Sequence, residues 1–237
     1  FAKDRFDVFH NVFSMEIDKM CDLENCGPND LSRPSVSSTD RRLFLAGALA
    51  LPLATILANV DLAKAQAAKG VSIKQTTADG RTVSAYFAEA DKKDAPVVIL
   101  IHEWWGLNDN IKTMAEDIRA KGFHAIAIDL FNGSVASNRD EAKTQTKAVK
   151  ASEANATIAA WVDWAKANGN GKVATLGWCF GGGWSLSAAL NTKLDAAVIY
   201  YGRVTANADS LQKLNAPLLG HFGTLDKSIN PEMVGAF

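Results

Sequence analysis

Residues 96–101 read Pro-Val-Val-Ile-Leu-Ile, a run that offers no polar side chain to either face of a strand. A strand wetted on one side would alternate, so this one demands cover on both. Short apolar runs recur at Phe123–Leu130, Lys172–Leu176, Ala196–Tyr201 and Pro217–Phe222. Between them lie segments of helical spacing. Asn108–Lys121 puts Ile111, Met114, Ala115 and Ile118 on one stripe and stops at Gly122, and Gly182–Leu190 follows the third run. Arg139–Ala167 predicts one long helix, with Ala148, Ala151, Ile158, Val162 and Ala165 among its apolar positions. Ahead of the series, Val71–Thr77 and Thr82–Ala88 flank Ala78-Asp79-Gly80-Arg81 and predict a hairpin. Strand, helix, strand in repetition predicts an α/β fold with a mostly parallel sheet flanked by helices. Sheets of this kind bind ligands beyond the carboxyl ends of their strands. That directs attention to His102–Gly106, Leu130–Gly133, Trp178–Gly181, Gly202–Arg203 and Gly223–Asp226.

The charge balance narrows the partners. A formal net charge of −1 with no basic stripe argues against a nucleic-acid partner. Three cysteines are too few for a disulfide framework, and the Cys21-x4-Cys26 pair lacks further ligands at metal-binding spacing. Gly181-Gly182-Gly183 lacks the Lys-Ser/Thr of a nucleotide loop, so neither a metal nor a cofactor is expected. The chain starts on Phe1 and ends on Phe237, inside what reads as a new helix. Both ends therefore read as cuts in a longer frame.

Three regions are expected. Residues 1–37 mix charges with Asn, Pro and Ser without a period and read as a leader outside the fold, with Met15 or Met20 as alternative starts. Residues 38–67 have the parts of a bacterial export signal: Arg41-Arg42 before Leu43-Phe44-Leu45, an uncharged run to Ala58, and Ala65 or Ala67 as a cleavage point. The paired arginines resemble the twin-arginine motif, which implies contact with an export machinery and a periplasmic destination. A retained membrane anchor is the alternative, but the uncharged run is shorter than the roughly 20 residues a spanning helix needs. Residues 70–237 form the α/β domain.

One motif carries chemistry. Gly177-Trp178-Cys179-Phe180-Gly181 follows a predicted strand and opens a predicted helix, as a nucleophile elbow does, with cysteine in the serine place. The nucleophile of an elbow sits on a strained turn whose flanking glycines let backbones approach. Cys179 then lies at a helix N-terminus, a setting that favours a thiolate, and the Phe180 N–H is placed to bind an oxyanion. The plainer alternative is a buried structural thiol.

Taken with Ile101-His102-Glu103-Trp104-Trp105-Gly106-Leu107-Asn108, Tyr200-Tyr201-Gly202 and Gly220–Asp226, the elbow resembles the dienelactone hydrolase family of cysteine-dependent α/β-hydrolases, over about Val71 to Phe237. The resemblance implies an α/β-hydrolase fold, here lacking its last strand and helix, and cleavage of a small-molecule carboxylic ester or lactone. It implies Cys179 as nucleophile, Glu103 as the carboxylate that hydrogen-bonds the resting thiol and helps form the thiolate when substrate arrives, and Asp226 as the triad acid. The backbone N–H groups of Trp104 and Phe180 would form the oxyanion hole.

Two departures stand out. The triad histidine should follow the acid, and no histidine follows Asp226; His10, His102, His124 and His221 all precede it, and His102 and His221 read as structural. A histidine in a missing C-terminal segment is expected, and the chain as it stands is expected to be poorly active. Second, Phe131-Asn132-Gly133-Ser134 lacks the arginine with which family members hold an anionic lactone, and Arg139 and Arg203 are near only in sequence. Two other readings remain: a non-catalytic ligand-binding protein of the same fold, and a redox thiol without a resolving cysteine.

Overall fold

The computed structural model describes residues 69–237. The leader and export signal expected over 1–37 and 38–67, with His10, Cys21 and Cys26, lie outside the described residues. Seven strands are described: β1 (Val71–Thr76), β2 (Thr82–Ala88), β3 (Val97–Ile101), β4 (His124–Ile128), β5 (Val173–Trp178), β6 (Ala196–Tyr200) and β7 (Leu218–His221). They form one sheet in the order β1-β2-β4-β3-β5-β6-β7. The β1–β2 hairpin is antiparallel and joins β4 antiparallel, whereas every other pairing is parallel. All positions of β3, β4 and β5 are buried, as their unbroken apolar runs require.

Helices cover this sheet. Helix α1 (Asp109–Ala120) is capped by Asn108, whose side chain accepts the Ile111 N–H, and buries Ile111, Ala115 and Ile118 beside β4 and β2. Helix α4 (Phe180–Asn191) lies on β5 and β6, and α6 (Pro231–Ala236) begins after an Asn230 cap. The chain runs from β3 to β4 on one side and returns to β5 on the other. This reversal opens a crevice beyond the carboxyl ends of β3 and β5.

The long helix expected over Arg139–Ala167 is two helices, α2 (Arg139–Ala148) and α3 (Ala151–Asn168), separated by extended backbone at Val149 and Lys150. Burial explains the division. Helix α3 sinks Ile158, Trp161, Val162 and Ala165 into the sheet's main core, whereas α2 buries Ala142 alone. A straight continuation would have held the polar α2 along the same apolar surface. The break lets it turn toward the loop after β3 instead, where Gln145 meets Trp104. Two smaller differences follow: α4 starts at Phe180 rather than Gly182, and a short helix α5 (Ala208–Leu211) interrupts the segment before β7.

Candidate active site

The turn between β5 and α4 has the strain the motif demands. Cys179 has φ 52° and ψ −114°, a left-handed backbone that a residue with a Cβ adopts only under constraint. The constraint is backbone packing. A Cβ on Gly177 would overlap the Gly181 carbonyl, and one on Gly181 would overlap the carbonyls of Ile101 and His102. On the other side, Gly182 and Gly202 meet backbone to backbone. The Cys179 N–H donates to Tyr200 O at 2.9 Å, and Gly182 N–H returns to Cys179 O at 3.1 Å. The elbow is thus wedged between the ends of β3 and β6.

The loop after β3 is held as firmly. His102 is fully buried; its Nε2 accepts the Leu130 N–H at 3.1 Å, so its Nδ1 carries the proton and donates to Glu103 O at 2.7 Å. Burial pushes the ring's basicity down, which keeps it neutral. The Gly106 N–H also donates to Glu103 O, at 3.2 Å. A trans peptide is planar, so anchoring the Glu103 carbonyl sends the Trp104 N–H the opposite way. His102 stacks on Phe180 with rings 5.9 Å apart, joining this loop to the elbow.

Cys179 is half-buried and lines a groove of about 1200 Å³ together with Asp226, Tyr201, Arg203, Trp184 and Ile229. The helix N-terminus does not decide its ionisation. Burial pushes the thiol above its ordinary value, the Phe180 N–H on the sulfur pulls it down, and the charges of Glu103 and Asp226 push it up again. The net direction is upward, against the pull of the helix N-terminus and toward the resting thiol that the resemblance implies, although Glu103 bonds Tyr201 and reaches the thiol as a charge. Asp226 Oδ1 accepts the N–H groups of Ser228 at 2.7 Å and Ile229 at 3.0 Å, and those bonds hold its carboxyl below the usual range. It is at once a turn residue and a charge felt by the thiol.

Tyr201 is the residue that sequence reasoning left without a role. Its hydroxyl donates to Glu103 Oε1 at 3.1 Å, and burial, followed by the Glu103 charge, raises its ionisation above the ordinary tyrosine value. Its φ of 40° turns it off the end of β6 toward the elbow, and its N–H donates to His221 O at 2.7 Å. The available signal was the aromatic pair before Gly202, directly after a strand. Arg203 corrects the expectation that it is near only in sequence: it stands in the groove wall with Cys179. Arg139 does not line that groove.

None of the described histidines is placed as a base for Cys179. His102 is occupied as above, and His124 bonds the Ala90 N–H and Lys93 O at the opposite end of its strand. His221 stacks on Tyr200 at 4.5 Å, with its Nε2 buried and unpartnered among the described residues. No cluster of three or more His, Cys, Asp or Glu side chains able to hold a metal occurs among the described residues.

Comparison with known proteins returns a consistent likeness. The model of the dienelactone hydrolase family matches residues 83–236. A protein of Escherichia coli O157:H7 named as a carboxymethylenebutenolidase is 32% identical over 175 residues, 65% of this chain. The match spans 64% of that relative's own length. Carboxymethylenebutenolidase 1 of Cupriavidus pinatubonensis is 26% identical, covering 69% of this chain and 74% of its own. A crystal structure from Klebsiella pneumoniae described as a dienelactone hydrolase superposes with a TM-score of 0.62 at 24% identity, covering 70% of this chain and 78% of that one. That likeness concerns the fold.

Proposed function

The chain belongs to the dienelactone hydrolase family, and from that premise we propose that it serves the hydrolysis of a carboxylic ester or lactone with Cys179 as the nucleophile. The observation that carries the reading is the strained Cys179 at the elbow, opening into a groove with Asp226 and under the charge of Glu103. In this mechanism the thiol loses its proton and the sulfur attacks the ester carbonyl, forming a C–S bond. The N–H groups of Trp104 and Phe180 take up the negative oxygen, a contribution of about 3–4 kcal/mol per donor in serine enzymes. The C–O bond to the leaving group then breaks as that group is protonated, and water cleaves the thioester to acid and free thiol.

Glu103 has a defined resting partner in Tyr201. Its role is to receive the thiol proton once substrate displaces that bond. Asp226, held ionised by Ser228 and Ile229, is the acid that would orient a histidine base. The reading requires such a base from outside the described histidines. Arg203 is an arginine of the groove wall, where Phe131–Ser134 contributes none.

Turnover of p-nitrophenyl acetate and of a five-membered enol lactone, compared between the wild type and Cys179→Ala, tests the reading. The wild type is expected to carry the acetyl group of p-nitrophenyl acetate on Cys179 by mass spectrometry, and the alanine variant to carry none and to fall to the rate of the uncatalysed reaction. Activity retained in the alanine variant overturns it. We propose also that residues 38–67 direct export, on the strength of Arg41-Arg42 and the apolar run behind them. Arg41→Lys with Arg42→Lys should then leave the protein in the cytoplasm of a host with the twin-arginine route, and unchanged periplasmic recovery would refute it.

A further inference from the structure

We propose that Gln145 is a positioning residue for the oxyanion hole: from α2 it fixes the Trp104 carbonyl and thereby the loop whose N–H receives the substrate's carbonyl oxygen. The inference rests on the hydrolase reading above. Gln145 Nε2 donates to Trp104 O at 2.6 Å, and Ser134 Oγ donates to Gln145 Oε1 at 3.0 Å. A backbone carbonyl only accepts, so the amide has a single workable orientation here.

The rest of the loop shows why this bond matters. Trp104 lies between two peptide planes. The first, Glu103–Trp104, is set by His102 and Gly106 on the Glu103 carbonyl. The second, Trp104–Trp105, is set by Gln145 on the Trp104 carbonyl, and the next carbonyl, of Trp105, accepts the Ala136 N–H at 2.9 Å. The Trp104 N–H lies in the first plane and is aimed by the bonds on the Glu103 carbonyl; the Gln145 bond holds the second plane, so that the first cannot drift by rotation about the backbone bonds of Trp104. An oxyanion donor needs that fixity, because its benefit depends on being aimed before charge develops.

Packing does not account for the placement of Gln145. Helix α2 buries Ala142 alone, and the extended Val149–Lys150 link frees it from the line of α3. What that freedom accomplishes is to bring the side chain of Gln145 to Trp104 and Thr146 to the groove wall. A helix with little core of its own is thus tied to the loop by a side-chain bond.

The test compares Gln145→Glu, isosteric but without the donor, with Gln145→Lys, which restores a donor to the Trp104 carbonyl. kcat, KM, the Cys179 alkylation rate and amide hydrogen exchange at Trp104 are measured on the full chain. Gln145→Glu should lower kcat about ten- to hundredfold, the scale of a 1 Å misplacement. KM and alkylation should stay within about twofold, and exchange at Trp104 should accelerate. Gln145→Lys should recover most of kcat. A purely structural role would move the melting temperature and leave this split absent. If Cys179→Ala abolishes turnover but Gln145→Glu leaves kcat and exchange unchanged, the inference about Gln145 falls alone. If Cys179→Ala leaves turnover intact, the nucleophile reading falls and takes this one with it; where the wild type turns over too slowly to divide, unchanged exchange at Trp104 in Gln145→Glu overturns the inference by itself.

Discussion

Gly181→Ala measures how tightly the elbow is wedged. The added Cβ would stand 2.5 Å from the His102 carbonyl oxygen and closer still to that of Ile101, both of them backbone atoms with no rotamer to escape into. Ordinary contact begins near 3.5 Å, so the elbow and the end of β3 must part by about 1 Å. Overpacking of this kind costs about 1–3 kcal/mol. For a domain of this size each kcal/mol lowers the melting temperature by about 2–4 °C, so a fall of about 2–12 °C is expected. The same displacement separates Phe180 from the loop carrying Trp104, and a 1 Å error at such a site costs about a hundredfold in rate. Differential scanning calorimetry and ester turnover provide the two readouts. Gly235→Ala is the control: it lies in α6 with open space at its Cβ position and should be neutral or stabilising by up to about 1 kcal/mol. A Gly181→Ala protein with wild-type melting and rate would refute the claim that backbone contact sets the elbow.

Other measurements reach further parts of the molecule. Alkylation of Cys179 by iodoacetamide should rise with pH to a midpoint above that of a free cysteine measured alongside it, and Glu103→Gln should move that midpoint down; a midpoint at or below that of the free cysteine contradicts the burial and charge effects on this thiol. Tyr86, whose hydroxyl donates to the buried Glu116 at 2.6 Å and accepts the Gly70 N–H, has its ionisation raised by burial. The unfolded chain therefore loses this proton at lower pH than the folded one. Stability should fall as pH climbs past about 10, and Tyr86→Phe should blunt that fall while costing about 1–3 kcal/mol at neutral pH. Trp161 is fully buried and its indole N–H has no partner among the described residues; Trp161→Phe should cost under about 1.5 kcal/mol by chemical denaturation, against about 3–5 for Trp161→Ala. Arg203→Ala should raise KM for anionic esters about two- to fivefold and leave neutral esters unchanged; equal effects on both would remove Arg203 from substrate binding.

Much of the frame was legible because its physics is local. The unbroken apolar run Val97–Ile101 suits an inner strand, and the glycines at 177 and 181 gained meaning from the strand before Cys179 and the helix after it. The division of α2 from α3 was not legible, since Val149 and Lys150 include neither glycine nor proline and the break answers to burial of α3 against the sheet. Tyr201 was hidden for a related reason. Its partner Glu103 lies 98 residues away, and no local pattern announces a hydroxyl–carboxylate bond formed across the ends of β3 and β6. Arg203 likewise joins Cys179 only through the approach of Gly202 to Gly182.

The thiol is where local and global reasoning part company, and the disagreement is informative. A helix N-terminus draws a cysteine toward the thiolate, and the Phe180 N–H does so here. Burial acts against it, and the two carboxylates nearby add their repulsion. With Cys179 as the proposed nucleophile, a thiol kept protonated at rest is shielded from oxidation and stray electrophiles, because both act on the thiolate. Its activation then has to come with the substrate. Glu103, bonded to Tyr201, is the group whose surroundings an entering ester would change first: displacing the Tyr201 hydroxyl frees a carboxylate oxygen whose charge the thiol feels. Tyr201→Phe strips Glu103 of the hydroxyl that offsets its charge, so alkylation of free Cys179 at neutral pH should slow. Unchanged alkylation would mean that Tyr201 only braces the loop, and faster alkylation that Glu103 takes the thiol proton already in the free protein.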